Sequence, residues 1–420
     1  MDTIKRDDLR FIEYLNKRTI SMRKNTQTLL FLLALICPMV SMAQSAQQIP
    51  PLTGQTKNYI STGMPILLIA PDAVSAGLGD AGVAYEPNAY SAHWNNAKYA
   101  FIDQKFGFST TYTPWLKNLG ISDMKLLYLG GFSRINDRSA FGGSITYFSL
   151  GELNSTDGEG NGLGIFKPNE FAIDATYSLK ISDNLSLGAT GRFIRSDLTN
   201  GMDVNDGSGY TTTKPANSVA ADIGLYYENK IDKSQEFALG AFISNLGAKL
   251  SYSDDDNDKE FLPANLRIGG RYSNEIDNFN KVNLVLDFNK LLVPTPPITD
   301  GGVTYSDYYA NRLEYNNTGV MQGAIQSFYD APGGMREELQ EIQISAGAEY
   351  WYNDFLAVRA GYFYENANKG GRQYFTIGTG IRYNKLGLDV AYLIPTTKIG
   401  NNPLTNTLRI SLSIDFANEK

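Results

Sequence analysis

The 420-residue chain carries 44 acidic against 37 basic side chains, a formal charge of −7, with one cysteine and one histidine. That balance disfavours a nucleic-acid partner, which needs a basic face. A lone histidine rules out a multi-histidine zinc centre, and a lone cysteine rules out a disulfide framework or a cysteine-held metal.

In chain order, Arg23 and Lys24 precede the apolar run 29–40, and Ser41-Met42-Ala43 places small residues before Gln44. That order predicts a secretory signal peptide over 1–43, with an apolar stretch too short to span a bilayer. The charged stretch 1–21 fits poorly in front of it, so translation is expected to start at Met22. Cys37 follows Ile36, which is too large for lipoprotein cleavage. Removing 1–43 takes away seven Lys/Arg and four Asp/Glu, which leaves −10 and no cysteine.

Residues 77–82 read Gly-Leu-Gly-Asp-Ala-Gly after the apolar run 65–70, with Asp103 further on. The spacing matches a dinucleotide fingerprint, but that motif works only inside a βαβ unit. The chain beyond residue 103 is β-patterned instead, and it is exported. Residues 44–103, rich in Gly and Ala, are predicted to fold as a plug inside a barrel lumen. Gly77, Gly79 and Gly82 would allow close packing, while Asp72 and Asp80 would bond backbone or wall arginines. His93 beside Trp94 is expected to bond plug backbone, so no catalytic residue is assigned.

From 104 to 416 the period is two. Fourteen alternating segments are predicted, near 104–113, 124–133, 139–149, 170–180, 185–196, 218–229, 236–245, 263–273, 281–290, 341–351, 355–365, 373–383, 385–393 and 406–416. Each has about the length of a tilted strand crossing a bilayer, and an even count closes a bacterial barrel. Even-numbered connections are short, such as Asn136-Asp137-Arg138, Tyr352-Asn353-Asp354 and Asn384, whereas odd-numbered ones are long. A soluble β-sandwich has no reason to show that parity. The predicted class is therefore all-β, a 14-stranded antiparallel transmembrane β-barrel with an N-terminal plug.

Asp174, Arg192, Asp222, Arg267, Asp287, Glu349, Arg359, Arg382, Asp389 and Arg409 all fall on the face predicted to point inward. One charge facing lipid at the midplane costs about 2–4 kcal/mol, so no other register is affordable. The aromatic clusters Tyr226-Tyr227, Tyr350-Trp351-Tyr352 and Tyr362-Phe363-Tyr364 are expected to form interfacial girdles. Residues 151–164 are expected to be a flexible loop tip, and 291–340 a long structureless loop. The acidic run 254–258 lacks the glycine and distal glutamate of a calcium loop, so no metal or cofactor is assigned. In the last segment Leu408, Ile410, Leu412, Ile414 and Phe416 share one face, as in a barrel-assembly signal.

The stretch PILLIAPDAVSAGLGDAGVAYEPNAYSAHWNNAKYAF (65–101) resembles the N-terminal signature of the PorV family, part of the FadL-like group of 14-stranded barrels. The residues that carry it are Pro71, Asp72, Gly77, Gly79, Asp80, Gly82, His93, Trp94 and Asn95. Asn96 stands where the family usually has proline. The resemblance implies an outer-membrane component of the type IX secretion system in a Bacteroidetes-like Gram-negative cell. It implies binding to the translocon barrel and carriage of cargo C-terminal signal domains to a surface sortase, close to lipopolysaccharide. Long loops, with Pro294, Pro296 and Pro297 as candidates, would grip those partners. The alternative is a FadL-like transporter of hydrophobic small molecules. An outer-membrane acyl hydrolase would need a serine beside His93.

Overall fold

The computed structural model describes residues 58–115, 123–156, 162–198, 203–205, 210–253, 259–297, 305–396 and 407–416. The signal-peptide region and the acidic run 254–258 lie outside them. Among the described residues no helix is long and apolar enough to cross a membrane, which says nothing of strands.

Fourteen strands close into one antiparallel barrel. They are β1 (Phe106–Pro114), β2 (Lys125–Arg134), β3 (Ser139–Ser149), β4 (Asn169–Lys180), β5 (Leu185–Asp197), β6 (Ala216–Lys230) and β7 (Gln235–Gly247). The second half is β8 (Asn265–Glu275), β9 (Asn280–Leu291), β10 (Gln343–Tyr352), β11 (Leu356–Tyr364), β12 (Gln373–Tyr383), β13 (Leu386–Pro395) and β14 (Leu408–Phe416). Every predicted segment overlaps its strand and ends within two or three residues of it. Closure pairs β14 with β1, from Phe106 opposite Phe416 to Tyr112 opposite Ile410.

Burial alternates along each strand, as in β5, where Ser186, Gly188, Thr190, Arg192 and Ile194 are buried and their neighbours exposed. The exposed set (Phe108, Leu129, Phe141, Val219, Ile223 and Phe375 among others) is apolar. That surface suits lipid and would be penalised in water. Nine of the ten charged residues predicted to point inward are buried, and Arg382 is half-buried at a strand end.

The tight turns use residues that tolerate a left-handed backbone: Asn353 at φ 55°, Asp354 at φ 50° and Asn384 at φ 53°. One irregularity breaks the ladder, a register shift between Ala221 and Ile223 of β6 against β7. It is held from inside, because the Asn245 amide, itself at φ 61°, donates to Asp222 Oδ1 at 2.7 Å.

Two expectations are narrowed or corrected here. At 151–164 the described parts pair as a hairpin, Leu153–Thr156 with Gly162–Phe166, while the expected loop tip at 157–161 lies outside the described residues. Residues 292–342 hold three helices, Tyr305–Asn317, Val320–Gln326 and Met335–Gln340. The prolines cluster at 294–297, and the Ala-, Leu-, Met-, Glu- and Gln-containing sequence beyond is free to coil.

Candidate functional site

Residues 58–103 form short helical turns, including α1 (Ala73–Gly77) and α2 (Ser91–Trp94), which bond to inward-facing side chains of many strands. Asp72 caps α1, accepting from the Ser75 amide at 2.8 Å and from Trp94 Nε1 at 2.6 Å. The Ala73 amide donates to Ser411 Oγ on β14, and the Gly79 amide to Thr376 Oγ1 on β12, both at 2.9 Å. The Gly82 and Val83 amides share Asp287 Oδ2 on β9 at 2.7 and 2.9 Å. Asn95 Nδ2 reaches Val83 O and Leu225 O, and Asn96 Nδ2 reaches Thr190 Oγ1. Tyr85 donates to Glu349 on β10 at 2.9 Å.

This geometry closes the nucleotide question. The helix precedes the glycine run, its N-terminus is capped by Asp72, and the amides of Gly79 and Gly82 already hold wall oxygens. The glycines serve contact instead. Gly79 sits at φ 73°, where an added Cβ would lie 2.6 Å from the Tyr362 backbone. At Gly77 a Cβ would press within 3.3 Å of Gly378 Cα, and at Gly82 it would strike the Trp94 ring.

Burial shapes the electrostatics of this segment. It raises the Asp72 carboxyl, against the opposing bonds from Ser75 and Trp94. It drives the Lys98 ammonium down to about 7, with Asp72 and Asp287 resisting and Arg271 assisting. Lys98 Nζ donates to Gly82 O at 2.8 Å. His93 is held well below its ordinary value by burial and by Arg267, so it stays neutral. Its expected backbone bond is not found among the described residues: Nε2 is unpartnered, and the ring packs edge-on against Trp94 at 4.9 Å. Among the described residues no serine hydrogen-bonds that nitrogen.

Around the segment the wall charges are paired. Arg192 meets Asp174 at 2.6 Å and Asp222 at 3.0 Å, while Arg359 meets Glu349 at 2.6 Å and Asp389 at 2.8 Å. Arg271 joins Glu86, Glu228 and Glu236, and Lys281 also binds Glu86. The girdle expectation is corrected by the period of two. Tyr226, Trp351 and Phe363 point inward and are buried, leaving Tyr350 and Tyr352 exposed.

At the end carrying the long connections, the 292–342 helices are fastened to the barrel. Lys290 pairs with Glu338 at 3.0 Å and Glu341 at 2.5 Å, and Lys369 with Glu337 at 2.6 Å and Glu341 at 3.0 Å. Pro294 is buried against Gly323, while Pro296 and Pro297 are half-buried. The open apolar surface lies further along, at Met321, Ile325, Phe328, Tyr329, Met335 and Leu339. The i, i+4, i+7 spacing of Met321, Ile325 and Phe328 was the available sequence signal for it.

Residues 52–298 match the model of the family described as type IX secretion system protein PorV. The chain belongs to that family. The matched stretch spans the whole N-terminal segment from Tyr59 onward, the strands β1–β9 and all three prolines, and it ends just before the helices of 292–342. None of the curated proteins matches the chain. Among solved structures, the chain is similar to the toluene transporter TbuX of Ralstonia pickettii (14% identity, TM-score 0.47, 83% of this chain and 99% of that one). It is also similar to the P. putida toluene transporter TodX (12%, 0.47, 84% and 100%) and to a Pseudomonas aeruginosa FadL homologue (13%, 0.41, 86% and 100%).

Asn96 is bonded through both its backbone and its side chain. Ser178 Oγ donates to its carbonyl at 2.5 Å while its own amide group holds Thr190. A proline there would keep the carbonyl but lose the amide bond. Asp80 accepts from the Tyr374 hydroxyl at 2.5 Å and lies 3.9 Å from Arg409. On β14, Ile410 and Leu412 are exposed, Leu408 and Ile414 are half-buried, and Phe416 stacks on Phe106 at 4.3 Å. Tyr85 and Lys98 were missed in the sequence, although Lys98, a charge among small neighbours, gave a local sign; Asp287 was placed on the inner face and Asn96 was singled out, but neither with its partners.

Proposed function

We propose that this protein is a partner-binding outer-membrane component of type IX secretion, which engages the translocon barrel and carries cargo signal domains to the surface sortase. The family match over 52–298 carries the reading. Residues 44–103 act on it as a plug, with Pro71, Asp72, Gly77, Gly79, Asp80, Gly82, His93, Trp94 and Asn95 serving its packing. Leu408, Ile410, Leu412, Ile414 and Phe416 serve barrel assembly. The exposed apolar side chains between Met321 and Leu339 support an outward docking role, because soluble surfaces rarely leave such a cluster uncovered. Lipopolysaccharide would surround that end.

Transport of hydrophobic small molecules needs a continuous apolar path. The two cavities described beside the N-terminal segment, of about 50 Å³ and 230 Å³, border Arg267, Arg409, Arg372, Glu365 and Lys369 as well as Leu68 and Ile69, so a hydrocarbon there would pass charged side chains. Affinity capture from detergent-solubilised outer membrane decides between the readings. Recovery of a giant barrel, a sortase or signal-domain cargo is expected; co-purified hydrocarbons or fatty acids without those proteins would overturn the proposal.

A further inference from the structure

The buried arginines Arg192, Arg271 and Arg359 each meet carboxylates at 3.1 Å or less, and two other buried arginines do not. Arg267 is buried and has no carboxylate within 4 Å among the described residues. Its Nη1 donates to the His93 carbonyl at 2.9 Å, and its guanidinium lies over the Trp94 ring at 4.9 Å. With the Asn265 amide turned so that both its groups are satisfied, Arg267 Nε donates to it at 3.1 Å. Arg409, also buried, has an Nε without a hydrogen-bond partner, and only Asp80 within ion-pair reach, at 3.9 Å.

Both guanidinium groups line one cavity of about 50 Å³ between the N-terminal segment and the wall. Asp80, Trp94, Trp115 and Arg372 also border it. Arg372 is already neutralised by a bidentate bond to Glu365, at 2.8 Å on each arm. Among the groups that border the cavity this leaves two guanidinium groups against the single carboxylate of Asp80, with Asp287 and Asp222 acting on Arg267 from further off. A buried charge left without a partner is costly, and a planar guanidinium is best satisfied by a planar oxyanion. The space has room for roughly three or four waters, enough for a carboxylate and little more.

We propose that this cavity is a binding site for a small monocarboxylate, held by Arg267 and Arg409. Charge favours a monoanion, since a dianion would be opposed by Asp80 at the cavity wall. Size favours a short ligand, since the cavity of about 50 Å³ holds a carboxylate and little more. The site stands independently of the secretion reading, so failure of one leaves the other untouched.

The chain has three tryptophans, and two of them, Trp94 and Trp115, line the cavity. In the full-length protein in detergent, with Trp351→Phe to remove the third emitter, acetate should change the fluorescence saturably. Acetamide, a neutral molecule of the same shape, should not, and sulfate should act more weakly. Arg409→Gln and Arg267→Gln should each weaken acetate by about tenfold, the scale of one charge-assisted bond. Asp80→Asn keeps an acceptor for Tyr374, removes the competing charge, and should tighten acetate severalfold. That gain cannot come from misfolding. Equal responses to acetate and acetamide, or unchanged affinity in both Asp80→Asn and Arg409→Gln, would overturn the site.

Discussion

The N-terminal segment and the 292–342 excursion are both additions to the same barrel, and they are finished in opposite ways. The first turns small side chains and backbone amides toward the wall, and the wall answers with Asp287, Thr376, Ser411 and Thr190. The second is tied at its base by Lys290 and Lys369 and leaves Met321, Ile325, Phe328 and Met335 uncovered. Within the wall a polar group must find its partner in the protein, so each bond there fixes position. On the excursion the charges fasten the base, and the apolar surface is free for something else to cover.

If position is fixed by these bonds, removing one member of a buried pair should do the greatest damage. Glu349→Ala deprives Arg359 of its 2.6 Å partner and Tyr85 of its acceptor at once. A loss of about 3–5 kcal/mol is expected, read as a lower urea midpoint for loss of the compact barrel band on unheated gels. An unchanged midpoint would mean that the wall charges are spectators.

Lys98 gives the same contrast through pH. Its folded value near 7 lies below the ordinary 10.5, so the unfolded chain binds the extra proton between those limits. Stability should therefore rise as pH climbs from 7 toward 10, on the order of 1 kcal/mol per unit, and the burial penalty is fully present below 7. Unfolding midpoints from pH 7 to 9 should climb in the wild type and stay flat in Lys98→Met.

A smaller effect is expected where only contact is at stake. Gly79→Val forces a branched side chain into φ 73° against the Tyr362 backbone, a strain of about 1–3 kcal/mol. Because the strain is local, protease should cut within 70–85 while the barrel band persists. Resistance equal to wild type would show that the segment has slack at this point.

The strands were legible because lipid leaves them no choice: a ladder with Val219, Ile223 and Leu225 outward must hide Asp222. The same rule, applied strictly, would have split Tyr350-Trp351-Tyr352 between two faces; reading them as one girdle ignored it. The segment's partners were not legible. Ala73 meets Ser411 across 338 residues, and only barrel closure brings them together. In the candidate arginine cavity, Arg267 and Arg409 could be placed on the inner face, but not seen to be without a closely bonded carboxylate. The helices of 292–342 were hidden by the prolines at their door, although the spacing of Met321, Ile325 and Phe328 was there to be counted.

The excursion itself supplies the mildest prediction for stability and the most direct one for its role. Met321, Ile325 and Phe328 are 63%, 61% and 47% exposed, so little native contact is lost when they are changed. Replacing all three with serine should move the unfolding midpoint by no more than about 0.5 kcal/mol per site. Partner recovery from solubilised membrane should nevertheless fall, since apolar anchors near the centre of an interface carry most of its energy. Glu337→Gln offers the reverse case, loosening the Lys369 tie at the base without touching the apolar face. If docking depends on the face, Glu337→Gln should retain partners better than the serine triple. If the two variants lose partners equally, the fixed position of the helices matters more than what they expose, and the contrast between the two regions narrows.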